Sequence, residues 1–284
     1  MIIKWFPGNR EPYHWVITMK RIILLLFAIL CLALVAWSRF GEELGEVITV
    51  FSQLSQPEET VDPDSAAVQT VQAFAREQGL TLGDWPEDLL VLLDKNPETE
   101  EFVLQYPLKK DSRPTYDLSD CLNSTQMPLL LQWDERWGYG EYAGELMGIS
   151  GCGPTCLSMV CIQLLQDASY TPQYVAAFAE ENGYAVKGNG SAWALISEGG
   201  EKLGLDVTEI PLDEGRIIRN LEVGNPIICV MGPGDFTTSG HFIVLTQYAD
   251  GYVKVNDPNS PIRSQKQWKL TDIMPQMNNL WVCR

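Results

Sequence analysis

The sequence predicts an α+β fold in which helices come first and an antiparallel sheet follows. Three helical patterns occupy residues 154–205; Thr171-Pro172 starts the second, and Ser191 caps the third. Four strand-like runs follow, "DVTEIPL", "PIICVMG", "HFIVLTQYA" and "YVKVND", with a hairpin turn at Asp250-Gly251 between the last two. Elements segregated in this order are typical of α+β domains and not of doubly wound parallel sheets.

A chain of 284 residues can bury a sizeable core, and it holds one main domain with smaller parts before it. Shifts in composition divide the chain into four parts. In order, they are an N-terminal tail with an apolar segment, an acidic linker, a helical lead-in and the main domain, over residues 1–40, 41–64, 65–125 and 126–284.

The N-terminal part has the pattern of a membrane anchor. Lys20 and Arg21 precede 16 uninterrupted apolar residues, 22–37, a length between that of a signal-peptide core and the ~20 residues of a transmembrane helix. More positive charge lies before this run than after it, which predicts that the C-terminal bulk faces outside. We expect a single-pass anchor in the cell membrane, with signal cleavage near Ala36-Trp37-Ser38 and secretion as the alternative.

The lead-in has helical periodicity without chemistry-bearing motifs. Residues 65–78 repeat as an amphipathic helix that stops at Gly79. Two shorter helices are predicted after it, with Pro86 and Pro97 in their first turns. Two roles stay open for the lead-in: a small docking unit, or a packing brace for the main domain.

The charge balance excludes one class of partner. After residue 39 the chain carries 15 basic and 36 acidic side chains, a net charge of about −21. Such a surface repels polyphosphates, so we do not expect nucleic-acid binding. It favours cationic peptides or amines, or it simply keeps the protein soluble.

The stretch "ISGCGPTCLSMV" places Cys152 between two glycines at the start of a helix, with Pro154 in the first turn. Backbone N–H groups and the helix dipole stabilise an anion there, which lowers the pKa of a thiol and raises its thiolate fraction. The glycines leave the sulfur open and let other backbone approach closely. This arrangement predicts a nucleophile.

Two other roles for this thiol have less support. Cys152, Cys156 and Cys161 are spaced by four and five on one helix, and no second ligand pair with zinc-like spacing lies nearby. We therefore expect no metal site. A thioredoxin-type site needs C-x-x-C after a strand, whereas this chain has C-G-P-T-C after a glycine-rich loop. A Cys152/Cys156 redox pair stays as a minor alternative.

A nucleophilic cysteine needs a base, and the chain has 2 histidines. His14 precedes the apolar segment, so His241, at the start of "HFIVLTQYA", is the candidate base. On the next strand Asp257 falls on the apolar face and Asn256 on the other, which favours Asp257 as the group that orients the imidazole. The run Asn-Asp-Pro is also a turn signal. The oxyanion of acyl transfer needs donors too, and the backbone N–H of Cys152 and the side-chain amide of Gln132 fit that need.

These residues resemble the papain-like cysteine peptidases of the C39-like group, whose best-known members cut double-glycine leaders from bacteriocin precursors. The resemblance covers a little over half of the chain. Within the group, the chain looks most like the stand-alone bacterial members. It implies a papain-like fold with an oxyanion donor, a nucleophile, a base and an orienting carboxylate, which would be Gln132 in "QWDERW", Cys152 in "GCGPT", His241 in "GHFIVL" and Asp257 in "VNDP".

One spacing departs from the group. The leader-processing members place the glutamine a few residues before the cysteine, whereas here the step from Gln132 to Cys152 is 20 residues. An insertion, residues 134–149, must therefore loop out between them.

The sequence thus predicts a membrane-anchored, outward-facing cysteine peptidase or amide hydrolase that forms an acyl-enzyme on Cys152. No metal or organic cofactor is expected. A peptide, a peptidoglycan cross-bridge or a small amide would suit as substrate. The alternative from another class is a catalytically silent papain-fold binding module, although such a module has no need of an open thiol at a helix start.

Overall fold

The structure is a computed structural model that describes residues 60–112 and 114–284. The predicted anchor at residues 22–37 and most of the acidic linker lie outside the described residues. Within the described ranges, no helix is both long enough and apolar enough to cross a membrane. These ranges belong to one compact unit, Glu59–Arg284.

Three helices form the lead-in. The two predicted prolines lie just before the helices and not in their first turns: Pro86 is the N-cap of the second helix, and Pro97 opens a 3-10 turn before the third. The Ser65 hydroxyl accepts from the backbone N–H of Val68 at the start of the first, and Gly79 ends it with a φ of +69°. The 3-10 turns Leu82–Asp84 and Pro97–Thr99 connect the three. The helices are α1 Ala66–Gln78, α2 Glu87–Lys95 and α3 Glu100–Lys109.

The buried faces of these helices form an apolar cluster with part of the main domain. Val71, Leu89 and Phe102 pack together in it, and Tyr139 of the main domain joins them. The lead-in therefore lies against the main domain through a shared core.

The helical half of the main domain surrounds one long buried helix. Residues 153–162 of α5 are buried on every side, because this helix packs on α6 and on the sheet strand His241–Ala249. The elements of this half are β1 Glu141–Tyr142, β2 Glu145–Leu146, α4 Met147–Ser150, α5 Cys152–Leu165, α6 Pro172–Glu181, β3 Ala185–Val186, β4 Gly190–Ser191, a π-helical segment Leu195–Gly199 and α7 Gly200–Lys202.

The predicted cap at Ser191 is wrong. Ser191 lies in β4, where it pairs with Ala185, and its hydroxyl shares a 2.7 Å hydrogen bond with the hydroxyl of Tyr142. Helical structure begins only at Leu195, because the backbone of Ser191 is extended and its oxygen is already engaged.

A six-stranded antiparallel sheet makes up the second half of the described main domain, in the order β5-β10-β6-β7-β8-β9. The predicted α+β class is confirmed. Asp250 and Gly251 make the β7–β8 turn with φ of +51° and +89°. The elements are β5 Val207–Glu209, α8 Glu214–Glu222, β6 Ile227–Met231, β7 His241–Ala249, β8 Tyr252–Asn256, α9 Pro261–Gln265, β9 Gln267–Lys269, α10 Leu270–Ile273 and β10 Met277–Cys283.

The sheet has an apolar core on each face. Phe242 and Val244 of β7 point into the core that contains α5, whereas Ile243 and Leu245 point into the core that contains α8. This alternation fixes which side of β7 and β8 each neighbouring polar residue occupies.

Candidate active site

Cys152 is the first residue of α5 and is partly buried. A side chain at either flanking glycine would collide with its surroundings: Gly151 lies against the carbonyl oxygen of Met147, and Gly153 against the hydroxyl of Ser191. The two glycines therefore let α4 and β4 close tightly around the helix start. This packing holds the thiol at a defined point at the mouth of α5.

His241 is the first residue of β7, and its imidazole contacts a buried carboxylate. The ring Nε2–H donates to Oδ1 of Asp257 at 2.7 Å, and Asp257 is fully buried just after β8. The register pairs Val244 with Asn256, which sets Asp257 opposite Ile243 and diagonal to His241 on the same face. The strand geometry thus brings this pair together.

The imidazole of His241 and the backbone N–H groups of Phe242 and Gly153 lie close enough to the sulfur of Cys152 to lower the pKa of its thiol. Since Nε2 of the ring is engaged by Asp257, the Nδ1 edge is the one that faces Cys152. The structure therefore brings three of the four predicted residues into one continuous line of contacts.

The charges in this line shift the pKa values of Cys152 and His241 in opposite directions. Burial raises the pKa of the Cys152 thiol, but the hydrogen bond and positive charge of His241 outweigh burial and lower it. Burial likewise lowers the pKa of His241, but the carboxylate of Asp257 and the sulfur of Cys152 outweigh it and raise that pKa. Both shifts favour a thiolate beside an imidazolium.

Asp257 accepts from two further donors. Nε of Arg263 on α9 lies 2.5 Å from Oδ2, and the backbone N–H of Asn259 lies 2.8 Å from Oδ1. Burial raises the pKa of this carboxyl, but the positive charges of His241 and Arg263 lower it overall. The carboxylate stays ionised and aimed at the imidazole, because each oxygen is held by a donor.

Asn256, the alternative orienting residue, faces a different part of the domain. Its side-chain amide donates to the carbonyl oxygens of Met127 and Pro128 at 3.4 and 3.0 Å. It ties the segment before Gln132 to the end of β8, and its hydrogen bonds in the described ranges do not include one to the imidazole.

Gln132 lies buried between the two halves of the site. Its backbone N–H donates to the carbonyl of Pro258 at 2.8 Å, beside the Asp257 turn. Its side-chain NH₂ donates to the carbonyls of Gly148 and Ile149 at 3.0 and 2.9 Å, in the turn that precedes Cys152. The structure brings Gln132 to the site, but the amide that the predicted oxyanion role requires is donating to these carbonyls.

The insertion between Gln132 and Cys152 is folded against the lead-in. Tyr139 stacks on Phe102 of α3 with ring centroids 4.5 Å apart, and its hydroxyl donates to the Phe102 carbonyl at 2.8 Å. A side chain at Gly148 would come within 2.5 Å of the Phe102 ring. The extra residues form β1, β2 and α4 and do not loop out freely.

The comparisons with known proteins give the family. A family model described as the Peptidase_C39 like family matches residues 124–282, more than half of the chain. The chain belongs to this family. No curated protein matches it.

Two solved structures of C39-like proteins are similar to the chain. The peptidase domain of Streptococcus ComA, a bifunctional ABC transporter of a quorum-sensing pathway, is 16% identical, with 47% of this chain and 89% of that domain covered and a TM-score of 0.38. A C39-like protein from Bacillus anthracis is 14% identical, with 60% of this chain and 98% of that one covered and a TM-score of 0.38.

Relative to the C39-like match, the lead-in is an addition. The matched region begins at residue 124, so α1, α2 and α3 all precede it. Sequence reasoning did not assign Arg263 to the site. The Ser260-Pro261 helix start was a usable signal for α9, but nothing in the local sequence shows that Arg263 turns back towards Asp257.

The other cysteines of the described ranges are poorly placed for nucleophilic chemistry, because burial raises the pKa of each thiol. The cysteines in the described ranges are free, and Cys156 is buried one helical turn behind Cys152. Burial, followed by the sulfur of Cys152, raises the pKa of Cys156 well above its ordinary value. In the same ranges, no group of three or more His, Cys, Asp or Glu side chains is arranged to hold a metal ion.

Proposed function

We propose that this chain is a cysteine peptidase or amide hydrolase that works through an acyl-enzyme on Cys152. The observation that carries the proposal is the unbroken contact from Cys152 through His241 to Asp257, with the thiol pKa lowered and the imidazole pKa raised. Membership of the C39-like family supports the same chemistry.

In the proposed reaction, the Cys152 thiolate attacks the carbonyl carbon of the scissile amide, and the negative charge moves to the carbonyl oxygen. The His241 imidazolium then donates its proton to the leaving nitrogen as the C–N bond breaks, which leaves a thioester on Cys152. Neutral His241 takes a proton from water, the hydroxide attacks the thioester, and the C–S bond breaks to release the carboxylic acid. This step restores the thiolate of Cys152 beside the imidazolium of His241. Asp257 keeps the ring oriented and stabilises its positive charge throughout.

The oxyanion would be stabilised at the start of α5. The N–H groups of the first helical turn have no acceptor within the helix, so the backbone N–H of Cys152 is suited to the role. Gln132 remains our proposed second donor, and one of its amide hydrogens must turn from the Gly148–Ile149 carbonyls towards the substrate for that role.

We further propose that the substrate is a peptide or peptide-like amide outside the cell. The location rests on the apolar run at residues 22–37 and the positive charge before it. Protease added to intact cells should then digest the region after residue 41, and digestion only after lysis would contradict the proposed orientation.

The experiment for the proposed activity is labelling with an epoxide peptidase probe, because opening an epoxide needs both a thiolate and a nearby acid. Cys121 is the matched control, since it is also partly exposed but burial raises its pKa. Mass spectrometry should find the probe on Cys152 and not on Cys121. Labelling of both at similar rates, or of neither, would overturn the proposal.

The two alternatives have specific observations against them. A redox pair needs two accessible thiols, whereas Cys156 has no exposed surface and its thiol pKa is raised. A catalytically silent binding module does not require a buried His241–Asp257 pair or a Cys152 thiol with a lowered pKa.

A further inference from the structure

The segment that holds Asp257 in place has little apolar packing of its own. It runs from Asp257 to Arg263 and includes the first turn of α9, a helix of 5 residues. Ser264 is the buried residue of α9, and Ile262 is 67% exposed. The position of Arg263 beside the carboxylate therefore depends on polar contacts to this segment.

The main domain supplies one such contact, from the indole N–H of Trp268 to the carbonyl of Arg263 at 2.9 Å. Further contacts come from the lead-in, about 160 residues earlier in the chain. The side chain of Glu98 spans the start of α9: one carboxylate oxygen accepts from the hydroxyl of Ser260, and the other accepts from the backbone N–H of Ile262 at 2.8 Å. A single carboxylate thus fixes both the residue that caps α9 and the turn that carries Arg263.

Asn96 holds the same segment from the side. Its buried side-chain amide donates to the carbonyl of Asn259 at 2.6 Å, and the indole of Trp133 donates to the same oxygen at 3.1 Å. The N–H of Asn259 in turn donates to Asp257 at 2.8 Å. Two routes therefore run from the lead-in to the carboxylate, one through the Asn259 backbone and one through α9 and Arg263.

We propose that Glu98 is a positioning residue for the candidate active site: it holds α9 so that Arg263 and Asp257 keep the imidazole of His241 oriented. The inference rests on the proposed function. It makes the lead-in part of the catalytic unit, although the family match begins 26 residues after Glu98.

The expected consequence of losing Glu98 is a looser Asp257. A carboxylate that swings away from His241 stabilises the imidazolium less, so the thiolate of Cys152 is less populated at low pH. At a pH above the ordinary cysteine pKa of ~8.5 the thiol ionises without the imidazolium, so the effect should vanish there. The ratio of Cys152 reactivity at low pH to that at high pH therefore distinguishes a positioning role of Glu98 from a merely structural one.

The test uses the full chain and measures the second-order rate of iodoacetamide alkylation at Cys152, at about pH 6 and about pH 10, either side of the ordinary thiol pKa. The variants are Glu98→Ala and, as matched control, Glu100→Ala, which removes an equally charged, exposed side chain two residues away. Glu98→Gln keeps the size of the side chain and one acceptor oxygen. If Glu98→Ala does not fold, the rate ratio of Glu98→Gln tests the proposal. Thermal melts accompany every variant.

We expect the ratio of the low-pH rate to the high-pH rate to fall about tenfold in Glu98→Ala, within the ~10²-fold that a small misplacement costs. Glu98→Gln should fall between Glu98→Ala and the wild type, and Glu100→Ala should match the wild type. A wild-type ratio in the Glu98 variants, with or without a lower melting temperature, would overturn this inference alone. A wild-type protein whose Cys152 shows no reactivity at low pH would overturn the proposed function and this inference with it.

Discussion

The two sides of the candidate site are held by different forces. Cys152 stands on α5, whose next ten residues, 153–162, are all buried in an apolar core. Asp257 stands on a short segment held by hydrogen bonds and ion pairs, several of them from distant parts of the chain. The nucleophile therefore has a position set by packing, whereas the orienting carboxylate has a position set by polar contacts that single substitutions can remove.

This difference predicts that the carboxylate side is the more sensitive to polar substitutions. Its groups are buried, and a buried polar atom that loses its partner costs about 1–3 kcal/mol. The thiol side should be less sensitive to polar substitutions, because buried apolar side chains hold most of the helix that carries Cys152.

The largest effect is expected for Asp257→Ala. Without the carboxylate, the pKa of His241 falls towards its ordinary value, the pKa of Cys152 rises, and the thiolate fraction near neutral pH drops. Epoxide labelling or turnover near neutral pH should fall by about 10³–10⁴, as when the carboxylate of a triad is lost. Initial rates measure the loss, and a melt checks that the variant is folded.

A variant that keeps most of its activity would contradict the role of Asp257 and the sensitivity expected of the carboxylate side. The position must be tested beside Asn256, since the sequence offered both.

The next effect is on stability and tests the lead-in as part of the domain. Phe102→Ala removes a fully packed ring from between Tyr139 and the glycines of the insertion. We expect a loss of about 3–5 kcal/mol in the free energy of unfolding, as for other buried aromatic side chains. Urea denaturation measures it, with Leu108→Ala, an exposed position on α3, as the control. A loss below about 1 kcal/mol would mean that the lead-in packs only weakly on the main domain.

The smallest effect on activity is expected for Asn256→Ala. Its amide donates to two backbone carbonyls and not to the imidazole, so its loss should lower the free energy of unfolding by about 1–3 kcal/mol. The low-pH reactivity of Cys152 should stay within about twofold of the wild type in the folded protein, since no group near the sulfur changes its charge. If this variant loses reactivity and Asp257→Ala keeps it, the two residues have exchanged roles.

The parts that could be predicted from sequence are those that local patterns determine. The glycines, proline and apolar run around Cys152 define the start of α5, and alternation along β8 places Asp257 and Asn256 on opposite faces. With 2 histidines in the chain, the partner of Cys152 followed by elimination.

The parts that could not be predicted depend on contacts between distant segments. Arg263 and Glu98 carry no local signal, because a charged side chain near a turn usually lies in solvent. The interior strand β10 was missed, since "MNNLWVC" begins with polar residues and its place between β5 and β6 depends on tertiary pairing. The gap between Gln132 and Cys152 looked like a free loop because its partner, Phe102, lies in the lead-in.

The most direct test of the central claim is the pKa of His241, measured by NMR titration of its ring protons. His14→Gln leaves a single imidazole in the chain, so the signal is unambiguous. The account predicts that His241 stays protonated well above its ordinary pKa of ~6.5, and that Cys152→Ala lowers its pKa because the thiolate is lost. A pKa at or below ~6.5 in the parent protein, unchanged by Cys152→Ala, would contradict the thiolate–imidazolium pair on which the proposed activity rests.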